Sequence, residues 1–227
     1  MPDGMHKALL PLPGGTTMLA NAVDLYTGIG IKRFVFLTKQ DTQNSVLSFV
    51  RSRKQRRVIY HHLSAPESFG KGAAVRYALV KRTIPNNTQF IVHNPDDVIV
   101  GAQRCDIITT AISRHLNFIE EGCIATLVSV EGTTYPYTSY ESENNRITHI
   151  ERHAFVSIKT HVGITIFSPA AAPYFLKNYL NDTTSDFEVT LFPLLARRGS
   201  LYLTTIPVGS WLSVNTQKEL EQLRKML

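Results

Sequence analysis

The sequence predicts an α/β fold, with a mostly parallel central sheet, helices on both faces and a small antiparallel β region. Three observations predict it. Short runs rich in β-formers alternate with segments of helical spacing through the first half. The second half changes to closely spaced strands around a polar turn. The length, 227 residues with a hydrophobic fraction of 43%, suits one large domain over residues 1–227.

The first helix is read from Met18, Leu19, Ala22, Val23 and Tyr26, which share one face and stop at Gly28. Arg33-Phe-Val-Phe-Leu-Thr38 follows as a strand. Val46, Leu47, Phe49 and Val50 mark a second helix, and Arg57–His61 a second strand. Ala73, Ala74, Tyr77 and Ala78 form a helix opened by Gly70-Lys71-Gly72. Gln89–His93 is the third strand, Ile107 to His115 the next helix, and Cys123–Val130 the fourth strand. Thr138–Glu141 and Arg146–Glu151 flank the turn Glu143-Asn144-Asn145. Val156–Phe167 is a strand region running into a helix start at Ser168-Pro169. Phe187–Ala196 is a helix, Ser200–Thr205 a strand and Thr216–Met226 an amphipathic helix.

Composition narrows the function. Charged residues at 19% and a mean hydropathy of -0.06 argue against disorder. No apolar run reaches the roughly 18 residues of a membrane span, and no h-region follows Lys7. Cys105 and Cys123 make no disulfide framework and no C-x-x-C zinc pair, so they read as buried thiols of a cytoplasmic protein. The net charge of +6 favours anionic partners. The densest basic run, Arg51 to Arg57, lacks interleaved aromatics and reads as a solvated helix end, not a nucleic-acid site.

In open α/β sheets a ligand sits beyond the carboxyl ends of the strands. There the third strand runs into Asn94-Pro95-Asp96-Asp97. Paired acids at a strand exit suit Mg²⁺, although Asn, Pro and Asp are also turn formers. Gly70 and Gly72 either admit a ligand to the backbone at a helix N-terminus or make a tight turn. Lys7, ahead of an apolar run, is a phosphate contact or a surface lysine. His61 and His62, neighbours in a strand, point to opposite faces and do not ligate jointly. His93 and His115 read as structural. Tyr135 and Tyr137 read as half-buried residues of a turn.

Taken in order, these segments resemble the sugar-phosphate nucleotidyltransferases, or NDP-sugar pyrophosphorylases. Lys7-Ala-Leu-Leu-Pro11 resembles that family's P-K-x-L-L-P segment, and Gly30-Ile31-Lys32 the turn after its first helix. Glu67-Ser-Phe-Gly-Lys-Gly-Ala-Ala74 is similar to its base-binding loop. Phe90-Ile-Val-His-Asn-Pro-Asp96 is similar to its strand carrying a metal Asp. Arg146–Arg152 resembles R-V-x-x-F-x-E-K-P, Gly163–Pro169 resembles G-I-Y-V-F-S-P, and Trp211-Leu-Ser-Val-Asn-Thr216 resembles W-x-D-x-G-T.

The resemblance implies a Rossmann-like, GT-A-like fold. It implies a Mg²⁺-dependent enzyme that joins a nucleoside triphosphate to a sugar 1-phosphate and releases pyrophosphate. By it, Lys7 contacts phosphate and Asp96 holds Mg²⁺. Glu67, Gly70, Lys71 and Gly72 back the nucleotide. Glu151, Arg152 and Gly163 face the sugar phosphate. The chain departs from the pattern where Ser213 stands for the second metal Asp, for which Asp97 is the substitute, and where Arg152-His153 replaces Lys-Pro. The family's opening strand and G-x-G-T-R loop precede the matched segments, so a central strand and its phosphate donors are expected to be missing. Two rivals remain: a nucleotide-binding relative without chemistry, and a nucleotide-sugar glycosyltransferase using Asn94–Asp97 as its acidic motif.

Overall fold

The computed structural model describes residues 7–40, 42–53, 58–66, 69–135, 137–177 and 186–227. Glu67 and Lys54–Arg57 of the expectations above lie outside that set.

Helix α1 (Met18–Gly28) starts where the Thr17 side chain accepts the Ala20 N–H at 3.1 Å, and Gly30, at φ 88°, turns the chain into β1 (Arg33–Thr38). There follow α2 (Gln43–Ser52), β2 (Ile59–Ser64), α3 (Lys71–Val80), β3 (Phe90–His93) and β4 (Asp97–Ile99). Next come α4 (Arg104–Glu120), β5 (Ala125–Val130), β6 (Thr133–Thr134), β7 (Thr138–Glu143), β8 (Arg146–Arg152), β9 (Phe155–Val156) and β10 (Thr160–Phe167). The chain closes with α5 (Ala172–Leu176), α6 (Phe187–Arg197), β11 (Leu201–Ile206), β12 (Trp211–Ser213) and α7 (Gln217–Met226). In α7 Thr216 and Glu219 form a reciprocal capping box.

The main sheet has the order β11-β5-β10-β3. Strand β11 is parallel to β5, whereas β10 is antiparallel to both β5 and β3. Strands β1 and β2 form a separate parallel pair, β4 and β12 a short antiparallel one, and β7 and β8 a ribbon. The expected α/β sheet with an antiparallel sub-region is present.

Helices cover both faces of the main sheet. On one, α3, α5 and α6 enclose Phe167, Phe175, Phe187 and Leu191, each 2% exposed or less. Phe167 meets Phe175 and Phe187 edge-on at 5.3 and 5.7 Å. On the other face, α1 and α4 bury Leu25 and Ile108 against Val128, Ile164 and Ile166.

The sequence misplaces a few boundaries. The second strand lies two residues further on than expected, at Ile59–Ser64. The fourth starts at Ala125, because Gly122, at φ 88°, and Cys123 still belong to the turn that closes α4, where Cys123 N–H bonds Phe118 O at 3.0 Å. The Asn144 and Asn145 turn takes φ 46° and 65°, the left-handed pair a two-residue hairpin needs. Tyr135 and Tyr137 are exposed, not half-buried: they stack edge-on against each other at 5.5 Å beside the ribbon. Cys105 is half-buried and Cys123 buried; both are free thiols.

His115 is wholly buried, its Nδ1 2.8 Å from Thr126 Oγ1, and burial pushes its pKa down to about 4. Burial does the same to His93, also to about 4. Below the ordinary histidine value near 6.5 the unfolded chain binds protons that the folded chain refuses, so folding stability falls as pH drops from about 6.5 to about 4. Each histidine contributes about 3 kcal/mol to that loss. Thermal melts across this window are expected to show a falling Tm, with a visibly flatter profile in His115→Gln. An unchanged slope in the variant would contradict the assignment.

Candidate active site

The turn that leaves β3 sorts two adjacent carboxylates into different environments. Asp97 N–H bonds Asn94 O at 2.9 Å, closing the turn, and Asp97 opens β4. Asp96 belongs to the turn itself, whereas Asp97 begins the strand and turns inward. Asp96 keeps 15% of its side chain exposed, and Asp97 is buried.

Strand β12 fixes this arrangement from the far end of the chain. Ser213 pairs with Asp97 and Trp211 with Ile99, and Val214 N–H extends the ladder to Asp96 O at 2.9 Å. Trp211 Nε1 donates to Asp97 Oδ1 at 3.1 Å, and Asn94 Nδ2 donates to Oδ2 at 3.2 Å. His93 Nε2 donates to the Asp97 carbonyl at 2.7 Å. Burial nevertheless dominates and raises the Asp97 carboxyl to about 6, with Asp96 adding to the rise and the bonds from Asn94, Trp211 and Ser213 opposing it.

Gly163 of β10 presses on the same carboxylate. It sits at φ 66°, and a Cβ there would lie 1.9 Å from Asp97 Oδ2 and 2.9 Å from Asn94 Nδ2. Both the conformation and the space require glycine.

Lys7 reaches this turn from the N-terminal segment. Ala8, Leu10 and Leu12 are buried, with Leu10 and Leu12 packed against Val98, Val214 and Leu220, which holds Lys7 in place. Its ammonium forms an ion pair with Asp96 and donates to Asn215 Oδ1 at 3.2 Å. Asn215 in turn donates to Ser213 Oγ at 2.8 Å. Lys7, Asp96, Asp97, Ser213 and Asn215 thus form one polar cluster beyond the carboxyl end of β3.

The other expected residues lie on neighbouring elements. Gly70 is the N-cap of α3, and Lys71 and Gly72 form its first turn. Lys71 is paired with Glu188 and, at 3.5 Å, with Asp186, both at the start of α6. Burial would lower the Lys71 pKa, and these two carboxylates more than offset it. Glu151 and Arg152 end the exposed strand β8; Ser139 Oγ donates to the Glu151 carbonyl at 3.3 Å, and neither residue's own side chain makes a hydrogen bond or ion pair among the described residues. His153, at φ 62°, accepts from Lys218 Nζ at 2.9 Å and ties the ribbon to α7.

The sequence does not mark Asn215 or Trp211 as site residues, and His93 reads there as structural only. Asn94 and His93 lay in the motif already quoted, and Asn215 and Trp211 in the segment around Ser213. The missing signal was the three-residue pairing of β4 with β12, too short to show a period.

The cluster offers oxygen donors, which suit Mg²⁺. Among the described residues no three His, Cys, Asp or Glu side chains converge as a metal cage. Mg²⁺ commonly takes one or two carboxylates plus water and substrate phosphates, and Asp96, the more open of the two acids, fits that demand. No helix among the described residues is long and apolar enough to cross a membrane.

No protein-family profile and no curated protein matches the sequence. Solved structures do match in three dimensions. A Bacillus anthracis protein assigned as a glucose-1-phosphate thymidylyltransferase, in complex with a sucrose, superposes with a TM-score of 0.71 at 18% identity, covering 99% of this chain and 87% of that one. HddC from Yersinia pseudotuberculosis gives 0.69 at 14% identity over 99% of this chain and 91% of its own. A UDP-glucose pyrophosphorylase complexed with UDP-glucose gives 0.66 at 13% identity, over 96% and 89%. The chain has the fold of the sugar-phosphate nucleotidyltransferases. In this nucleotidyltransferase fold, the cluster stands beyond the carboxyl end of β3, at the side of an α/β sheet where ligands bind.

Two measurements check the geometry. Gly163→Ala is expected to cost about 3 kcal/mol of stability, read from equilibrium urea unfolding, because Asp97 is locked by its partners and cannot yield. A loss within experimental error would show that the carboxylate moves freely. Trp211, the single tryptophan, donates to Asp97, so its fluorescence should titrate with a midpoint of about 6 and lose that transition in Asp97→Asn. A transition that survives the substitution would assign the titration to another group.

Proposed function

We propose that this protein is a nucleotidyltransferase that joins a nucleoside triphosphate to a sugar 1-phosphate, giving an NDP-sugar and pyrophosphate. The observation that carries the reading is the Lys7–Asp96 pair beside buried Asp97, at the ligand-binding end of a nucleotidyltransferase fold.

In the reaction a phosphate oxygen of the sugar 1-phosphate attacks the α-phosphorus. A new P–O bond forms, and the bond from the α-phosphorus to the bridging oxygen breaks. Pyrophosphate leaves with the electron pair. Both reactants are anionic, so positioning and cationic screening supply most of the catalysis. Lys7 is the residue for this: its ammonium turns from Asp96 to the triphosphate and stabilises charge on the leaving group. Asp96 would hold Mg²⁺, with Asp97 behind it, and the cation would supply positive charge to offset that of the phosphates. Asp97 keeps the turn rigid, since its carboxylate is engaged by Trp211 and Asn94.

Gly70, Lys71 and Gly72 back the base at the start of α3, together with Glu67. Glu151 and Arg152 on the exposed ribbon, with Gly163 of β10, meet the sugar phosphate. Arg152 supplies a planar fork that can grip phosphate with two hydrogen bonds. The free thiols suit a cytoplasmic enzyme.

A second reading, nucleotide or nucleotide-sugar binding without turnover, is favoured by one observation. The residue paired with Asp97 across the β4–β12 ladder is Ser213, a weaker Mg²⁺ ligand than a carboxylate.

Pyrophosphate release with Mg²⁺, over a panel of nucleoside triphosphates and sugar 1-phosphates, separates the two. The enzyme reading expects release that depends on one pair of substrates and falls by more than about 100-fold in Asp96→Asn. The fold of that variant should stand, since a partly exposed ion pair contributes roughly 0–1 kcal/mol. Unchanged turnover in the variant would remove Asp96 from the site. Nucleotide binding without release by the wild type would establish the second reading.

A further inference from the structure

Strand β11 is the last strand of the main sheet. It pairs with β5 on one side and, among the described residues, with no strand on the other. Alternation sorts the two sides. Ala125 N–H bonds Ser200 O at 3.3 Å, and Ser129 Oγ donates to Thr204 O at 3.5 Å, so the even-numbered residues of β11 turn their backbone to β5. Leu201, Leu203 and Thr205 therefore turn their N–H and C=O groups outward. None of the three has a backbone partner on that side among the described residues.

Sheet edges are usually blunted by a charge, a proline or a bulge. Strand β11 has none of these. It reads Leu-Tyr-Leu-Thr-Thr-Ile, and its register with β5 runs without a shift over all 6 residues. Leu203, near its centre, is 45% exposed. An uncharged, regular edge of β-forming residues is a template for another strand.

The edge is its own complement. In an antiparallel pair, two residues whose backbones face each other exchange both N–H···O bonds. A two-fold axis through Leu203, perpendicular to the sheet, sets Leu203 against Leu203 of a second copy and Leu201 against Thr205. Every outward group then has a partner, whereas a register shifted by two residues leaves one end unpaired. The side chains agree. Leu201 packs with the cluster on the α6 side, so Leu203 lies on that side as well. The two Leu203 side chains stand side by side across the axis, each covering apolar surface that the other leaves open.

On the α4 side the charges match. Arg114 Nη1 donates to Thr204 Oγ1 at 3.3 Å, and the Tyr202 hydroxyl donates to the Glu121 carbonyl at 3.1 Å. Thr204 and Tyr202 stand one residue to either side of Leu203. The two-fold brings Thr204 of one copy opposite Tyr202 of the other, and with them Arg114 opposite Glu121. Both are exposed, and neither forms an ion pair among the described residues.

We propose that β11 pairs antiparallel with β11 of a second copy about a two-fold axis at Leu203, joining their 4-stranded main sheets into one, with Arg114 of each copy facing Glu121 of the other. Any strand would satisfy the hydrogen bonds; opposite charges at symmetric positions select a second copy. The inference is independent of the activity proposed above.

Sedimentation equilibrium of the full chain, over low to high micromolar concentrations, is expected to show a dimer. Arg114→Glu and Glu121→Arg each set like charges face to face, and each should weaken the dimer by about 10-fold. Mixing the two variants should restore the parent's association, because each supplies the charge that the other lacks. Leu203→Lys, which places a charge on an exposed edge position, should leave a folded monomer. Amide exchange at Leu203 should slow as protein concentration rises, with no change at Val128 of β5. A monomer at every concentration would overturn the proposal. So would a dimer that survives Leu203→Lys, a mixture of the two charge variants that associates no better than either alone, or exchange at Leu203 that ignores concentration.

Discussion

The buried carboxylate of Asp97 is the constraint on which the candidate site depends. It draws together the β3 exit through Asn94, the late strand β12 through Trp211, and β10 through the bare backbone of Gly163. An ionised carboxylate in such a place is unfavourable unless hydrogen bonds surround it, and here they do so only partly, so its pKa rises to about 6. Asp97 is fixed inward, and its less buried neighbour Asp96, in the turn, meets Lys7.

This arrangement explains why residues distant in sequence act together. The N-terminal segment is pinned by Leu10 and Leu12 in the same apolar cluster that holds Val214, Leu220 and Leu223 near the C-terminus. The packing of that cluster sets where Lys7 stands relative to Asn215, and the capping box at Thr216 and Glu219 fixes the entry to α7 just beyond. The polar cluster rests on hydrophobic contacts between the two ends of the chain.

Much of this was legible in the sequence. The β-rich runs at Arg33–Thr38 and Phe90–His93, the helical faces of α1, α3 and α4, and the Asn144-Asn145 turn all follow from side-chain period and turn chemistry, and the structure has them. Lys7 and Asp96 each stand out in the sequence as candidates, though nothing local to either says that they touch. Contacts between residues 89 apart in sequence leave no period. The β4–β12 ladder was invisible for the same reason, and with it the roles of Trp211 and Asn215.

The most direct test of the central claim is a crystal structure of this chain with a nucleoside triphosphate and Mg²⁺. The Lys7 ammonium is expected to have left Asp96 for a phosphate oxygen, with an Asp96 oxygen on the cation and Asp97 still bonded to Trp211. A triphosphate bound away from this turn, or Lys7 still paired with Asp96 beside a bound nucleotide, would contradict it.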